Sequence, residues 1–232
     1  YGKASGLGYD AQGRVATVGD PAGRGSLGLA YDGTTGRLLT ITDWLTPAAR
    51  VVSYEYDAAG RLWKVTDREQ QGQPSPAKTV FGYQDAASHR LTTLTDARGN
   101  VTDYTYDAIH GGVLTITRPA PTTGAVRPQT RYSYAQFGTA PGLFWLPTGI
   151  SECQTLASCT AAADEVKTVV GYDASANATS VSKGNGTGTL TAASTMTYDA
   201  MGNLLTVDGP LAGTADTTRF RYDAARRQVG MR

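Results

Sequence analysis

The sequence predicts an all-β protein made of consecutive antiparallel hairpins. Three observations indicate it: a strand-forming composition, a tyrosine-aspartate phrase that returns along the chain, and period-two alternation of aromatic residues before that phrase. Of 232 residues, 33 are Thr, 28 are Gly and 13 are Tyr. Thr and Tyr suit a pleated surface, and Gly supplies turns with positive φ.

Charge and hydropathy exclude several classes of protein. The formal charge is +1, from 21 Lys and Arg against 20 Asp and Glu, and the two signs are interspersed, so no electrostatic footprint for nucleic acid is expected. No run of about 18 apolar residues predicts a membrane span. The first ten residues, YGKASGLGYD, lack the pattern of a signal peptide, which says little if the chain begins inside a longer protein.

The tyrosine-aspartate pair marks an internal repeat. Degraded copies occur around Tyr83 and Asp85 and around Tyr134, and successive tyrosines are 22 to 38 residues apart. We therefore predict a single segment of about nine repeats over residues 1–232. The intact pairs are Tyr9-Asp10, Tyr31-Asp32, Tyr56-Asp57, Tyr106-Asp107, Tyr172-Asp173, Tyr198-Asp199 and Tyr222-Asp223.

Each repeat begins with a strand whose aromatic side chains share one face. In TDYTYD, Tyr104 and Tyr106 are two residues apart, and TRFRYD has the same spacing in Phe220 and Tyr222. Residues two apart lie on the same side of a strand. We expect these aromatic residues to form the packed side of the sheet.

The phrase itself predicts a turn. In DAAGR, Asp57 can accept hydrogen bonds from backbone N–H groups just ahead of it, and Gly60 can take the left-handed conformation that closes a hairpin with a bulge. Asp57 is therefore interpreted as a turn residue. DAQGR from Asp10 and DAMGN from Asp199 repeat this chemistry.

A second strand follows each turn. Apolar residues lie three apart, as in Leu38 and Ile41 or Leu62 and Val65, which does not fit a flat strand with two distinct faces. We expect a bulge or partial burial of both faces, and a short helix is the poorer alternative among so many β-branched residues. A second turn completes a unit of about 24 residues, and so wide a sheet must twist and curl.

The arginines that follow the turns suggest contacts between repeats. Their guanidinium groups could lie on a neighbouring repeat's tyrosine ring and still reach an aspartate, or they could be solvated surface groups. They are Arg14, Arg37, Arg61 and Arg90.

The two cysteines, Cys153 and Cys159, favour a disulfide that pins a local loop, since the chain is β-rich and expected to be exported. Two free thiols are the alternative. A metal site is disfavoured because no histidine lies near them in sequence. No catalytic, cofactor-binding or metal-binding residue is predicted.

Tyr-Asp, a short gap and Gly-Arg-Leu, together with TDARGNVTDYTYD at 95–107, resemble the YD-repeat or Rhs-repeat family over residues 9–229. That family includes bacterial Rhs proteins, the C component of Tc insecticidal toxins and the teneurins. The resemblance implies a spiralling β-sheet that forms a hollow shell, often around a toxic C-terminal domain, and a scaffold rather than a catalyst.

The chain departs from the family in ways that suggest a fragment of a larger protein. A phrase similar to those at the family's self-cleavage region, GDPAGRG, occurs at 19–25, near the start, and we interpret it as a turn between strands. No variable toxin domain follows, and about eighteen strands are too few to close a large cavity.

Insertion loops are predicted near 70–78, 118–128 and 135–167. The last contains Phe144, Trp145 and Leu146. These could plug the concave face of the sheet, which is favoured because adjacent large apolar groups usually find an interior, or seal its edge, or offer a site for a partner.

Candidates for catalysis or ligand binding are few. His89 and His110 fall in degenerate turns and are interpreted as tolerated turn residues rather than bases. The aspartates allow a paired-carboxylate hydrolase, and DARGN and DAMGN allow a calcium site, but nearly every aspartate is a turn position. The sequons at Asn100, Asn177 and Asn185 matter only in a eukaryotic secretory host.

These observations predict a non-enzymatic bacterial shell segment, secreted or at the cell surface, that encloses or presents a toxin or another polypeptide of its parent. Its partners would be the remaining repeats and the cargo domain, with possible self-association through edge strands. One alternative is an adhesion or carbohydrate-binding module that contacts a surface glycan through Trp44, Trp63 or Trp145. A polysaccharide-cleaving enzyme is the other.

Overall fold

The structure is a computed structural model that describes residues 5–45, 49–67, 77–139, 141–153, 155–156 and 159–232. Its described residues form 18 β-strands and no helix, so none of them contributes a helix that could span a membrane. Consecutive strands run antiparallel. The predicted all-β fold of successive hairpins is confirmed.

The chain divides into two compact units, Tyr1–Thr102 and Asp103–Arg232. Strands β1 to β8 of the first unit pair in chain order, from β1 with β2 to β7 with β8. They are β1 Leu7–Tyr9, β2 Val15–Gly19, β3 Ser26–Tyr31, β4 Leu38–Thr42, β5 Val51–Tyr56, β6 Leu62–Asp67, β7 Ala77–Tyr83 and β8 Leu91–Thr95.

Strand β9, Val101–Tyr106, crosses the boundary, and the second unit continues to β18 with the same antiparallel order. The remaining strands are β10 Val113–Thr117, β11 Gln129–Phe137, β12 Phe144–Cys153, β13 Glu165–Tyr172, β14 Ala178–Asn185, β15 Thr191–Tyr198, β16 Leu204–Asp208, β17 Thr218–Tyr222 and β18 Gln228–Met231. That one repeat segment spans 1–232 remains a prediction.

Each hairpin formed around a phrase tyrosine contains a bulge at the same place. In the β3–β4 hairpin, Ala30 pairs with Thr40 and Tyr31 pairs with Leu38, so Leu39 is the extra residue. The same shift occurs in all nine hairpins. It explains the apolar spacing of three, because the bulge returns Leu38 and Ile41 to the same face. The predicted bulge is confirmed, and the helix alternative is wrong.

In each unit, aromatic and aliphatic residues lie on one side of the paired strands, which we call the aromatic face. Tyr54 pairs with Val65 and Tyr56 pairs with Leu62, and paired residues point to the same side. The polar residues between them lie on the other side, where Lys64 Nζ contacts Glu55 Oε1 at 2.6 Å. The predicted aromatic side of the strand is confirmed.

The aromatic face is only half-buried. The repeat tyrosines from Tyr31 to Tyr222 are partly exposed. Among the described residues, Cys153 and Cys159 are the only hydrophobic side chains that are buried. Each unit is therefore held chiefly by strand pairing and by contacts along the sheet rather than by a deep core.

The insertion predicted at 135–167 is not a loop throughout. Residues Phe144–Cys153 form β12, which pairs with β11 and β13. Tyr134 is followed by Ala135 instead of aspartate, so the turn found in other repeats does not form and the hairpin extends to the Phe137–Phe144 pair. Pro147 is tolerated because it lies opposite Tyr134, beside the bulge.

Phe144, Trp145 and Leu146 are therefore strand residues. That they plug the concave face of the sheet stays a prediction. Phe144 is 42% exposed, and Trp145 pairs with Gln136. The loop predicted at 118–128 contains no strand, and the Arg118 N–H donates to the Pro128 carbonyl oxygen at 2.9 Å. Of the loop predicted at 70–78, residues 70–76 lie outside the described residues. Residues 77 and 78 are the first two residues of β7.

Candidate functional site: the contacts between repeats

The aspartate of each intact phrase organises its own turn. Asp57 Oδ1 accepts a hydrogen bond from the Arg61 N–H at 2.9 Å, and Asp57 Oδ2 accepts one from Arg61 Nε at 2.8 Å. Backbone bonds from the Gly60 N–H to the Asp57 carbonyl and from the Asp57 N–H to the Arg61 carbonyl close the turn. Gly60 has a φ of 80°, which favours glycine.

The same turn chemistry accepts two kinds of residue four positions after the aspartate. Arg14 and Arg227 donate through Nε, at 2.7 and 2.8 Å. Asn177 and Asn203 donate through Nδ2 instead, at 2.9 and 2.8 Å. In both cases the residue four positions after the aspartate donates its side-chain N–H to Oδ2 and its backbone N–H to Oδ1.

These bonds hold the carboxylates in their charged form. The pKa of Asp57 is lowered, first by the Arg61 side chain, and the pKa of Asp199 is lowered, first by the Asn203 side chain. Donors that bind the charged form favour ionisation. The pKa is also lowered at Asp10, Asp32, Asp96, Asp173 and Asp223.

The phrase tyrosines connect one hairpin to the hairpin before it. The Tyr31 hydroxyl donates to the Val15 carbonyl oxygen at 2.7 Å, and Val15 is the residue paired with Tyr9. The pairing of β2 with β3 ends at Thr17 and Gly28, so the Val15 carbonyl lies beyond the paired part of these strands. Equivalent bonds join Tyr56 to Leu38, Tyr83 to Leu62, Tyr134 to Val113, Tyr172 to Pro147 and Tyr198 to Ala178.

Arginine guanidinium groups cover the same tyrosine rings in the first unit. The Arg14 Cζ lies 4.5 Å from the centroid of Tyr31, and the Arg61 Cζ lies 4.4 Å from that of Tyr83. Arg37 lies over Tyr56 at 5.4 Å. The predicted stacking is confirmed for these three arginines, and Arg14 and Arg61 also bind their turn aspartates. For Arg90 the stacking stays a prediction.

Other side chains take this position in the second unit. The His110 ring lies 4.6 Å from that of Tyr134 and is stacked on Trp145 at 4.5 Å. The Phe137 ring meets Tyr172 edge-on at 5.3 Å. Burial raises the pKa of Tyr134.

His110 is a turn residue with a packing role that its sequence context did not indicate. Its Nδ1 accepts a hydrogen bond from the Gly112 N–H at 3.1 Å, and its Nε2 lies 3.4 Å from Asp107 Oδ1. His89 lies between the bend at 84–87 and β8. The structure places the two histidines in separate hairpins.

Cys153 and Cys159 form a disulfide, as the sequence favoured. Beside it, the buried Glu165 accepts hydrogen bonds from the Ser151 hydroxyl and from the Ala161 N–H, the latter at 2.7 Å. Cys153, Cys159 and Asp164 are the one group within the described residues that is close enough to share a metal ion. The disulfide occupies both sulfur atoms of that group.

The GDPAGRG phrase forms the predicted turn between β2 and β3. The Asp20 N–H donates to the Gly25 carbonyl at 2.8 Å, and the Gly23 N–H donates to that of Asp20 at 2.8 Å. Arg24 Nε donates to Asp20 Oδ2 at 2.7 Å. The Arg24 side chain is the main cause that lowers the pKa of Asp20 to about 2.

The three tryptophans considered for glycan contact lie apart along the chain. Trp44 follows β4 near Arg24, Trp63 is the bulge residue of β6 beside Lys64, and Trp145 stacks on His110. No ring contact joins any two of these tryptophans in the part of the chain that the structure describes.

No protein-family model and no curated protein sequence matches the chain. Solved structures do. The crystal structure of TcdB2-TccC3-Cdc42 is 16% identical with a TM-score of 0.58, over 97% of this chain and 13% of that chain. The structure of the Photorhabdus luminescens Tc holotoxin pore gives the same values.

A third match, TcdB2-TccC3 without the hypervariable C-terminal region, has a TM-score of 0.56 and 16% identity over the same shares of the two chains. This chain thus spans about an eighth of the length of the structures it matches, and at this identity the likeness concerns the fold. It agrees with the repeated hairpins, turns and bulges described above. The chain has the fold of the YD-repeat, or Rhs-repeat, family.

Proposed function

We propose that the chain is a wall segment of a larger secreted or cell-surface bacterial protein, and that its parent encloses or presents another polypeptide. The observation that carries this proposal is the half-buried aromatic face of both units. Apolar surface that a chain does not bury itself is suited to contact with another polypeptide. The opposite side, with Ser53, Glu55 and Lys64, suits contact with water.

The contacts between repeats support a mechanical role. Each tyrosine hydroxyl bond and each stacked side chain joins one hairpin to the previous one. The hairpins are thereby tied along one edge in addition to their backbone ladders. Such a sheet can extend by adding hairpins, which fits a chain that matches a small part of much longer proteins.

The acidic groups support a non-enzymatic role. A general base working near neutral pH needs a pKa raised toward 7. The turn aspartates have lowered pKa values, as at Asp57, and their carboxylate oxygens accept hydrogen bonds from their own turns. The paired-carboxylate hydrolase is not favoured by this chemistry.

Two single-cysteine variants test the enclosure. Val52→Cys lies on the aromatic face and Ser53→Cys on the polar face of the same strand. The rate of maleimide labelling is measured in this chain alone and in its full-length parent. We expect the parent to slow labelling at position 52 and to leave position 53 unchanged. Equal rates at position 52 in both proteins would contradict enclosure on this face.

A further inference from the structure

A cleft of about 600 Å³ opens between two neighbouring turns of the second unit, 173–177 and 199–203. Asp173, Asn177, Tyr198, Asp199 and Gly202 are among its lining residues. It occupies the place that a guanidinium group fills between successive turns of the first unit. It is larger than its counterpart at Arg37, and the residue at position 177 is Asn instead of Arg.

In the first unit, the arginine that follows one turn lies between that turn and the next, and the cleft lined by Arg37, Tyr56 and Asp57 is smaller, at about 370 Å³. Arg37 lies over the Tyr56 ring, and a Cβ on Gly60 of the next turn would collide with its guanidinium group. Arg61 lies over Tyr83 and donates through Nη1 to the Asp85 carbonyl oxygen at 2.5 Å. A guanidinium there contacts both an aromatic ring and backbone carbonyls.

Asn177 is too short to make these contacts. Its Nδ2 donates to Asp173 Oδ2 at 2.9 Å, inside its own turn. The nearest atom to a Cβ on Gly202 would be Asn177 Oδ1, at 3.9 Å. Among the described residues, no guanidinium group covers the Tyr198 ring.

The neighbouring gaps are filled by other means. His110 covers Tyr134, and Phe137 meets Tyr172. After the Asp199 turn, Arg226 reaches back from the next turn, and its Nη2 donates to the Met201 carbonyl at 2.6 Å. The cleft at Tyr198 therefore has the walls of an arginine site, and no side chain from the described part of the chain fills it.

The charge of the cleft favours a cation. The Asp173 side chain accepts a bond from the uncharged amide of Asn177, whereas Asp57 binds the cationic Arg61. Asp199 binds the Asn203 amide, and the charge of Arg226 helps to lower its pKa. Aromatic faces attract cations, and guanidinium groups stack on them readily. We propose that this cleft binds a guanidinium group, supplied by an arginine side chain of a partner polypeptide.

The site can be tested with this chain alone and does not depend on enclosure of a cargo. N-acetyl-argininamide is titrated into the isotope-labelled protein, and the NMR signals of Tyr198 and Gly202 are followed. We expect saturable shifts, with a Kd on the order of millimolar for so small a group. The uncharged analogue N-acetyl-citrullinamide should give none. Equal shifts with both probes, or no saturation with the arginine probe, would overturn the proposal.

Asn177→Arg provides the second test, because the new side chain should occupy the cleft from within the chain. We expect this variant to bind the arginine probe about tenfold more weakly and to unfold at a higher temperature than the parent chain. Thr187→Arg adds the same charge to an exposed turn at the opposite edge and should change neither value. Unchanged probe binding in a folded Asn177→Arg variant would contradict the assignment.

Discussion

The Tyr56 hydroxyl donates to the carbonyl oxygen of Leu38 at 2.9 Å, and so connects one hairpin to the bulge of the hairpin before it. Leu38 itself pairs with Tyr31. Leu38 is therefore contacted by two successive phrase tyrosines: Tyr31 lies opposite it in the hairpin, and Tyr56 of the next hairpin binds its carbonyl oxygen. This relationship joins the two parts of the repeat, the aromatic strand and the bulged strand, across successive copies.

Tyr56→Phe should destabilise the protein by about 1 kcal/mol, because it removes the hydroxyl donor of a half-buried carbonyl and keeps the ring. The measurement is the midpoint of urea unfolding. Tyr54→Phe is the matched control on the same strand and face, and it should have a smaller effect. Equal losses from both variants would show that the Leu38 contact does not contribute.

Gly60→Ala should be more damaging than Gly13→Ala. Both glycines have positive φ, 80° and 77°, so both variants pay for the left-handed conformation, at roughly 1–2 kcal/mol. A Cβ at Gly13 meets no atom within 4 Å, whereas one at Gly60 would displace Arg37 from Tyr56. The difference in urea midpoint therefore reports the stacked arginine, and equal midpoints would argue against its role.

The sequence was sufficient for the hairpins, the turns and the bulge. The aspartate-to-glycine spacing fixes a local turn within five residues, and the apolar spacing of three requires one extra residue in the second strand. The tyrosine hydroxyl contacts were missed because they join residues about 16 to 25 positions apart. A signal did exist: all nine phrases keep Tyr, while two residues earlier the chain varies from Leu7 to Phe81 to Met196.

The stretch after Tyr134 was harder to predict because one missing residue changed its structure. Without an aspartate at position 135, strand pairing continues through Phe144 and Trp145. The prolines at 141 and 147 are typical of a loop, so the sequence did not predict this strand. His110 was judged by its turn alone, since nothing local places Trp145 over its ring. Long-range contacts of this kind follow from the register between hairpins.

Replacing both cysteines with alanine should destabilise the second unit by about 2 kcal/mol, the loop-closure contribution of a disulfide between residues six apart. The urea midpoint is compared with and without dithiothreitol. The reductant should lower the midpoint of the native chain and leave the double variant unchanged. A reductant effect of the same size in both would assign the loss to something other than this bond.

Stability should fall in acid through the turn aspartates. A carboxyl group with a lowered pKa stabilises the folded chain above its unfolded pKa, and this contribution is lost as the pH drops through the folded value. For Asp20 this window runs from 3.8 to about 2. We expect the urea midpoint to be steady from pH 7 to about 5 and to fall toward pH 2.

Asp20→Asn keeps a turn-forming side chain but removes the charge, so its midpoint should fall less steeply between pH 3.8 and 2. An identical slope in the variant would show that the Arg24 contact does not couple proton binding to folding.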